Sequence, residues 1–215
     1  MPGRKLSEAA RREDILRAAY DVAARRGVEA LTLRAVAERA DVSHGTVLFH
    51  FKRRSQLVAA LLDRVISATA VLRVPDSTEH MARPAEQLRG LLRSEMERLS
   101  EEARHFRLFL EYWALGVRNA AIRRRIGAAL EAYRGGFTRL AEAVMAGERE
   151  SSSRGARAGA RRQIATPDDV AAVAVSLIHG CALQAVIEPS GFDVQRHVAA
   201  AARMLDRLAS TPSAA

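Results

Sequence analysis

Two groups of side chains in this sequence are of types that do chemistry. The first lies between Thr32 and Arg54: hydroxyls at Thr32, Ser43 and Thr46, imidazoles at His44 and His50, cations at Arg34, Lys52, Arg53 and Arg54. Hydroxyls ahead of short apolar-periodic segments cap helices. Lys52-Arg53-Arg54 stands where a longer helix begins, and there the macrodipole is already positive, so three cations are unfavourable unless the free backbone amides hold an anion such as phosphate. The chemistry on offer is recognition of a polyanion. The second group is His179 and Cys181, two residues apart on a helix and so facing different sides, which argues against a shared metal; a core histidine with satisfied hydrogen bonds is the simpler account. No glycine-rich phosphate loop, G-x-S-x-G elbow or HExxH is present, and acid pairs such as Glu101-Glu102 fall in polar turns. No catalytic residue, metal site or cofactor is expected.

The charge is placed to match. Of the net +9, residues 1–75 carry +6 (14 basic, 8 acidic) and residues 148–162 carry +3 (5 basic, 2 acidic), which leaves the remainder balanced at 15 against 15. Arginine-rich composition, 32 Arg to 2 Lys, does not by itself leave more than half of a chain neutral. The asymmetry suggests a polyanion-binding module joined to a neutral body. At 215 residues, 48% apolar and 27% charged, the chain can build one large or two small folded domains. A lone cysteine, Cys181, excludes an intrachain disulfide, and the start MPGRKLSEAARRED lacks the apolar run of a signal peptide, so a reducing cytoplasm is expected. Val170 to Ile187 is uncharged for 18 residues, but it is alanine-rich, holds Ser176, His179 and Gln184, and has no basic anchors. It reads as a buried helix and not as a membrane span.

The elements that must position the first group are helices. Ile15, Ala18, Ala19, Val22 and Ala23 share a face, and Arg25-Arg26-Gly27 ends it. Thr32 caps a short helix with Leu33, Val36, Ala37 and Ala40 inward, stopping at Asp41; Ser43 caps a third, through about His50. A longer helix runs from about Ser55 to Val74, where Pro75 ends it. Helices are expected over 84–100, 105–118 and 120–147, with Gly135-Gly136 a weak point. Glu148 to Gln163, containing SSSRGARAGARR, is expected to be a mobile basic loop. Thr166-Pro167-Asp168-Asp169 starts another helix, and in the last one Val194, Val198, Ala201, Leu205 and Leu208 form a seam suited to a partner helix. The fold class is all-α.

Two short helices joined by a tight turn, LTLRAVAERADVSHGTVLFHF, match a helix-turn-helix. Residues 10–65 resemble the DNA-binding domain of the tetracycline-repressor (TetR) family through Ile15-Leu16, Ala18-Ala19, Gly27, Leu31-Thr32-Leu33-Arg34, Val36-Ala37, Val42-Ser43, Gly45-Thr46, Phe51 and Leu57. The resemblance implies that Thr32 and Arg34 meet DNA backbone and bases, that Ser43, His44, Gly45 and Thr46 open the recognition helix, that Phe49 reads a base and His50 faces phosphate. Lys52 joins this set, and Arg54 replaces the usual phosphate-binding lysine. Leu48 stands in place of a phosphate-binding tyrosine and Arg53 in place of a capping residue; Phe49, without hydrogen bonds to give, can meet only a thymine methyl or a sugar.

Further on, Trp113, Val117-Arg118-Asn119 with Arg123, and Ile178-His179-Gly180 with Leu183-Gln184 resemble the regulatory half of the betaine-synthesis repressor subgroup. The implied architecture is a helix-turn-helix domain over residues 1–54 and a helical regulatory and dimerisation domain over 55–215, with the loop at 148–165. Its dimer interface would use Val173, Leu177, Val198, Ala201, Leu205 and Leu208. An apolar effector site is expected from Phe106, Phe109, Trp113, Tyr133, Phe137 and Met145, with polar contacts from His179 and Gln184. No carboxylate is visibly placed inside it, which favours an uncharged or anionic hydrophobic ligand. The implied function is a homodimeric regulator, a repressor, binding a pseudo-palindromic double-stranded operator and released by a small hydrophobic effector, with no membrane partner. The alternatives are a DNA-binding assembly protein without an effector, or a helical enzyme.

Overall fold

Capping fixes where the first helices begin and end. In the computed structural model, which describes residues 7–69, 83–155 and 165–209, α1 (Glu8–Arg26) starts where the Ser7 hydroxyl accepts from Ala10 N–H at 3.2 Å, and it stops at Gly27. Gly27 has φ of +82°, a conformation that costs a side chain strain and glycine none. A 3-10 turn, Val28–Ala30, leads to α2 (Leu33–Ala40), α3 (His44–His50) and α4 (Arg54–Thr69). Then follow α5 (Pro84–Glu101), α6 (Ala103–Arg118), α7 (Ala120–Gly155), α8 (Pro167–Ile187) and α9 (Val194–Ala209). No strand occurs among the described residues, and the all-α class stands.

Two compact units emerge. One takes in Met1–Thr69 with Arg107–Gly127, the other Ala70–Phe106 with Ala128–Ala215. In the first, Ile15, Ala19 and Val22 of α1, Val36 of α2, Val47 of α3 and Leu57, Leu61 and Leu62 of α4 are buried together with Leu108 and Tyr112 of α6. Tyr112 is fully buried and donates its hydroxyl to Val58 O at 2.9 Å. As a packing unit, the first one runs on past residue 54 to Thr69. α4 packs into the core with α1, α2 and α3, and residues 107–118 of α6 belong with it.

In the second unit α5 packs on α8 and α9, and α8 packs on α9. α8 is long and apolar enough to cross a membrane, yet Val170, Ala171, Ala174, Val175, Ile178, Cys181 and Ala182 are buried in the protein. Its start is the expected one: Thr166 Oγ1 accepts from Asp169 N–H at 3.2 Å, Asp169 accepts from Thr166 N–H at 2.8 Å, and Pro167 opens the helix. These hydrogen bonds hold the Asp169 carboxyl below its ordinary value.

The basic stretch departs from expectation. α7 does not stop at residue 147 but continues to Gly155, because extending a nucleated helix through Glu148-Arg149-Glu150 is far easier than starting one. The rest of the expected loop, 156–164, lies outside the described residues, as does the expected end of the fourth helix at Val74. Gly135-Gly136 sits within α7 without breaking it.

Candidate nucleic-acid interface

The α2–α3 pair is built by local rules. Thr32 Oγ1 accepts from Ala35 N–H at 3.1 Å and starts α2; Ser43 Oγ accepts from Thr46 N–H at 3.0 Å and starts α3. Between them Asp41 adopts the left-handed conformation (φ 52°, ψ 50°), which aspartate tolerates better than most side chains. Val42 N–H then bonds back to Ala37 O at 3.1 Å, closing the turn. Ala37 is buried, and its single methyl lets the two helices approach. Arg39 pairs with Asp21 of α1, and Arg64 of α4 with Glu13 of α1, so the pair is fastened to its scaffold at the surface too.

α3 turns Val47 inward, while His44, Gly45, Leu48 and Phe49 are exposed. Phe49 is 70% exposed, and its ring meets His50 edge-on at 5.2 Å. The Thr46 hydroxyl lies 2.9 Å from Ser43 Oγ, so the two share a hydrogen bond at the N-terminus of α3. His50 is half-buried, and Phe51 is buried with the Arg12 guanidinium over its ring at 5.0 Å. Arg34 is exposed on α2 and paired with Glu38 at 3.2 Å. Lys52 and Arg53 are exposed. Thr32, Arg34, Ser43, His44, Gly45, Thr46, Phe49, His50 and Lys52 thus all belong to one unit.

Arg54 has a second occupation. Its Nε donates to Leu31 O at 2.7 Å, and its Nη2 to Val28 O at 2.9 Å and Glu29 O at 3.2 Å. The guanidinium ties the start of α4 to the 3-10 turn, a fork geometry that a lysine ammonium cannot reproduce. Read from sequence as a phosphate contact alone, Arg54 is a structural clamp. Nothing local announces this, since its acceptors lie 23 to 26 residues away.

The expected effector residues divide between the units. Phe109 and Trp113, with ring centroids 5.6 Å apart, belong to the first. In the second, His179 stacks with Phe106 at 6.2 Å and with Tyr133 at 5.9 Å, and Tyr133 meets Phe137 edge-on at 5.8 Å. Met145 is buried in the same unit. Burial pulls the His179 pKa down to about 4, so the imidazole is neutral. Gln184 does not face this interior: it is exposed and bonds to Gly180 O of its own helix at 3.3 Å.

A carboxylate does lie inside, contrary to the sequence-based expectation. Glu95 is 1% exposed, accepts the Tyr133 hydroxyl at 2.7 Å and pairs with Arg98 at 2.5 Å. Burial, with Glu95 next to it, pushes the Tyr133 phenol above its ordinary value. The helical period of α5 could have revealed Glu95, since Leu88, Leu91, Leu92, Glu95, Met96 and Leu99 share its buried face.

The α9 seam also differs. Val198, Ala201 and Leu205 are buried within the chain, where α9 packs on α5 and α8, while Val173, Leu177 and Leu208 are half-buried. Among the described residues, the large apolar side chains these two helices leave in solvent are Leu183 and Ile187 of α8 and Met204 of α9.

An exposed recognition-type helix, held on a three-helix core in a basic module, defines a helix-turn-helix DNA-binding protein. Comparison with known proteins narrows this. The profile of bacterial regulatory proteins of the tetR family matches residues 15–61, and that of the BetI-type transcriptional repressor C-terminal region matches residues 84–210. The chain belongs to the TetR family of transcriptional regulators, DNA-binding proteins and not enzymes. It is 32% identical over 123 residues to an HTH-type transcriptional regulator from the dhlA 5′ region of Xanthobacter autotrophicus, a match covering 56% of this chain and 60% of that protein. In fold it is similar to a transcriptional regulator from Rhodococcus sp. Rha1 (TM-score 0.66, 19% identity, 92% of this chain and 95% of that one). It is also similar to SmeT, the repressor of the Stenotrophomonas maltophilia multidrug efflux pump SmeDEF (TM-score 0.64, 24% identity, 90% and 87%).

Proposed function

We propose that this regulator is a cytoplasmic homodimeric repressor that inserts α3 into successive major grooves of a pseudo-palindromic operator and releases it when a small apolar molecule binds the second unit. The observation that carries this reading is the outward face of α3, where His44, Gly45, Leu48 and Phe49 are exposed on a helix capped by Ser43 and flanked by Arg34, Lys52 and Arg53. Thr32, Thr46 and His50 border that face, and the free amides at the start of α4 suit a phosphate. Two copies related by a two-fold axis would place their α3 helices about 34 to 36 Å apart, one turn of duplex, or a multiple of it.

For assembly, the exposed Leu183, Ile187 and Met204 replace the seam first expected. For the effector, the supporting residues are Phe106, Tyr133, Phe137, Met145 and His179, an aromatic interior with a neutral imidazole. The Glu95 charge is balanced by Arg98, so this interior offers no uncompensated charge and suits an apolar ligand. The test is electrophoretic mobility shift of the purified full chain on the DNA upstream of its own gene, followed by a screen of apolar compounds for operator release. Sequence-selective binding reversed by a compound whose effect disappears in Phe106→Ala supports the reading; selective binding that no compound reverses leaves a regulator without an effector.

A further inference from the structure

The polar side chains that pair bidentately with base edges are arginine, lysine, asparagine and glutamine, with the acids accepting from cytosine. Between Ser43 and Phe51 the chain has none of them. Of the four hydroxyl and imidazole groups in that stretch, Ser43 and Thr46 are bonded to each other, His50 is half-buried and His44 is exposed. What α3 presents outward is His44, Gly45, Leu48 and Phe49, and the two apolar side chains are 39% and 70% exposed. Positions 45, 48 and 49 share one helix face.

Gly45 adds an independent observation. A Cβ there would meet only Ser43 Oγ at 3.7 Å, an ordinary contact, so packing within the chain does not call for glycine. Glycine is among the weakest helix formers, and at position 45 it leaves the exposed backbone of α3 open to close approach by another molecule. The exposed cations Lys52 and Arg53, which follow α3 directly in the chain, favour a polyanion as that molecule.

We propose that α3 reads its operator through the C5-methyl groups of thymine, with Phe49 seated on one methyl in each half-site and Leu48 beside it, Gly45 allowing the approach. This rests on the reading of α3 as the groove-entering helix. Discrimination is then made by apolar contact, the only base-edge feature in the major groove that carries no hydrogen bond.

The experiment begins with selection of bound duplexes from a random library by the full chain. Each thymine of a selected duplex is then replaced singly by deoxyuridine, which keeps the base pair and its hydrogen bonds and removes only the methyl. One position per half-site is expected to lose about fourfold in affinity, the worth of one buried methyl group, and about fifteenfold when both half-sites are changed. Phe49→Ala, with its fold checked by circular dichroism, is expected to bind thymine and deoxyuridine duplexes equally. A selected duplex that tolerates deoxyuridine at every position without loss overturns the methyl readout while leaving groove binding intact; failure to select any duplex overturns both.

Discussion

Glu111 of α6 accepts a hydrogen bond of 2.7 Å from the backbone N–H of Val28, the first residue of the 3-10 turn between α1 and α2. The carboxylate lies so near that a Cβ on Gly27 would approach its Oε2 to 3.2 Å. Glu111→Ala leaves the Val28 donor without this partner and is expected to lower folding stability by about 2 kcal/mol. Glu111→Gln keeps an acceptor and should recover most of it, as read by urea denaturation of the three proteins.

The Arg54 clamp predicts a loss that needs no DNA to be seen. Arg54→Ala removes charged donors from Leu31 O, Val28 O and Glu29 O, and about 2 kcal/mol of stability should go with them. Arg54→Lys should resemble alanine more than arginine in denaturation, because one ammonium cannot reproduce the fork. Wild-type stability in both variants would return Arg54 to a purely DNA-facing role.

Gly45→Ala should move two measurements in opposite directions. The free protein gains about 0.5 to 1 kcal/mol from better helix propensity, with nothing nearer than 3.7 Å to obstruct the methyl. Operator affinity should fall about tenfold, near 1.4 kcal/mol, because the helix can no longer sit as close to the groove.

Charge at two neighbouring positions of α9 separates assembly from folding. Leu205 is fully buried, so Leu205→Glu places a carboxylate in an apolar interior and should unfold the protein at a cost of several kcal/mol. Met204 is half exposed, and Met204→Glu, alone or with Ile187→Glu, should keep the helical circular-dichroism spectrum while sedimentation shows monomers. A wild type that sediments as a monomer would count against the proposed dimer.

His179 predicts the direction of an acid limb. Its folded pKa of about 4 lies below the ordinary 6.5, so between those values the unfolded chain binds more protons and stability rises with pH. The contribution, roughly 3 kcal/mol, is fully present above pH 6.5 and lost as pH falls toward 4. His179→Gln should flatten this part of the stability profile measured by denaturation at a series of pH values.

What was legible in the sequence was whatever local rules control. Thr32, Ser43 and Thr166 cap helices, and Gly27 stops one, through atoms three or four residues away. These positions place α3 before any tertiary contact is known. Arg54, Glu111 and the α9 seam follow a different logic. Their partners are 23 to 83 residues distant or on other helices, and an apolar stripe looks the same whether its neighbour comes from the same chain or from another. Glu95 escaped for a related reason: a carboxylate looks solvent-facing until the helix face around it is laid out and Tyr133 and Arg98 are found beside it.

Because Val198, Ala201 and Leu205 close the interior of their own chain, the order of events in making this regulator follows. A protomer can complete its helical core once α9 packs on α5 and α8, without waiting for a second copy. Under the proposed dimer, dilution should then yield folded single protomers, and protein abundance would act on pairing, a bimolecular step, while the fold itself stays independent of concentration.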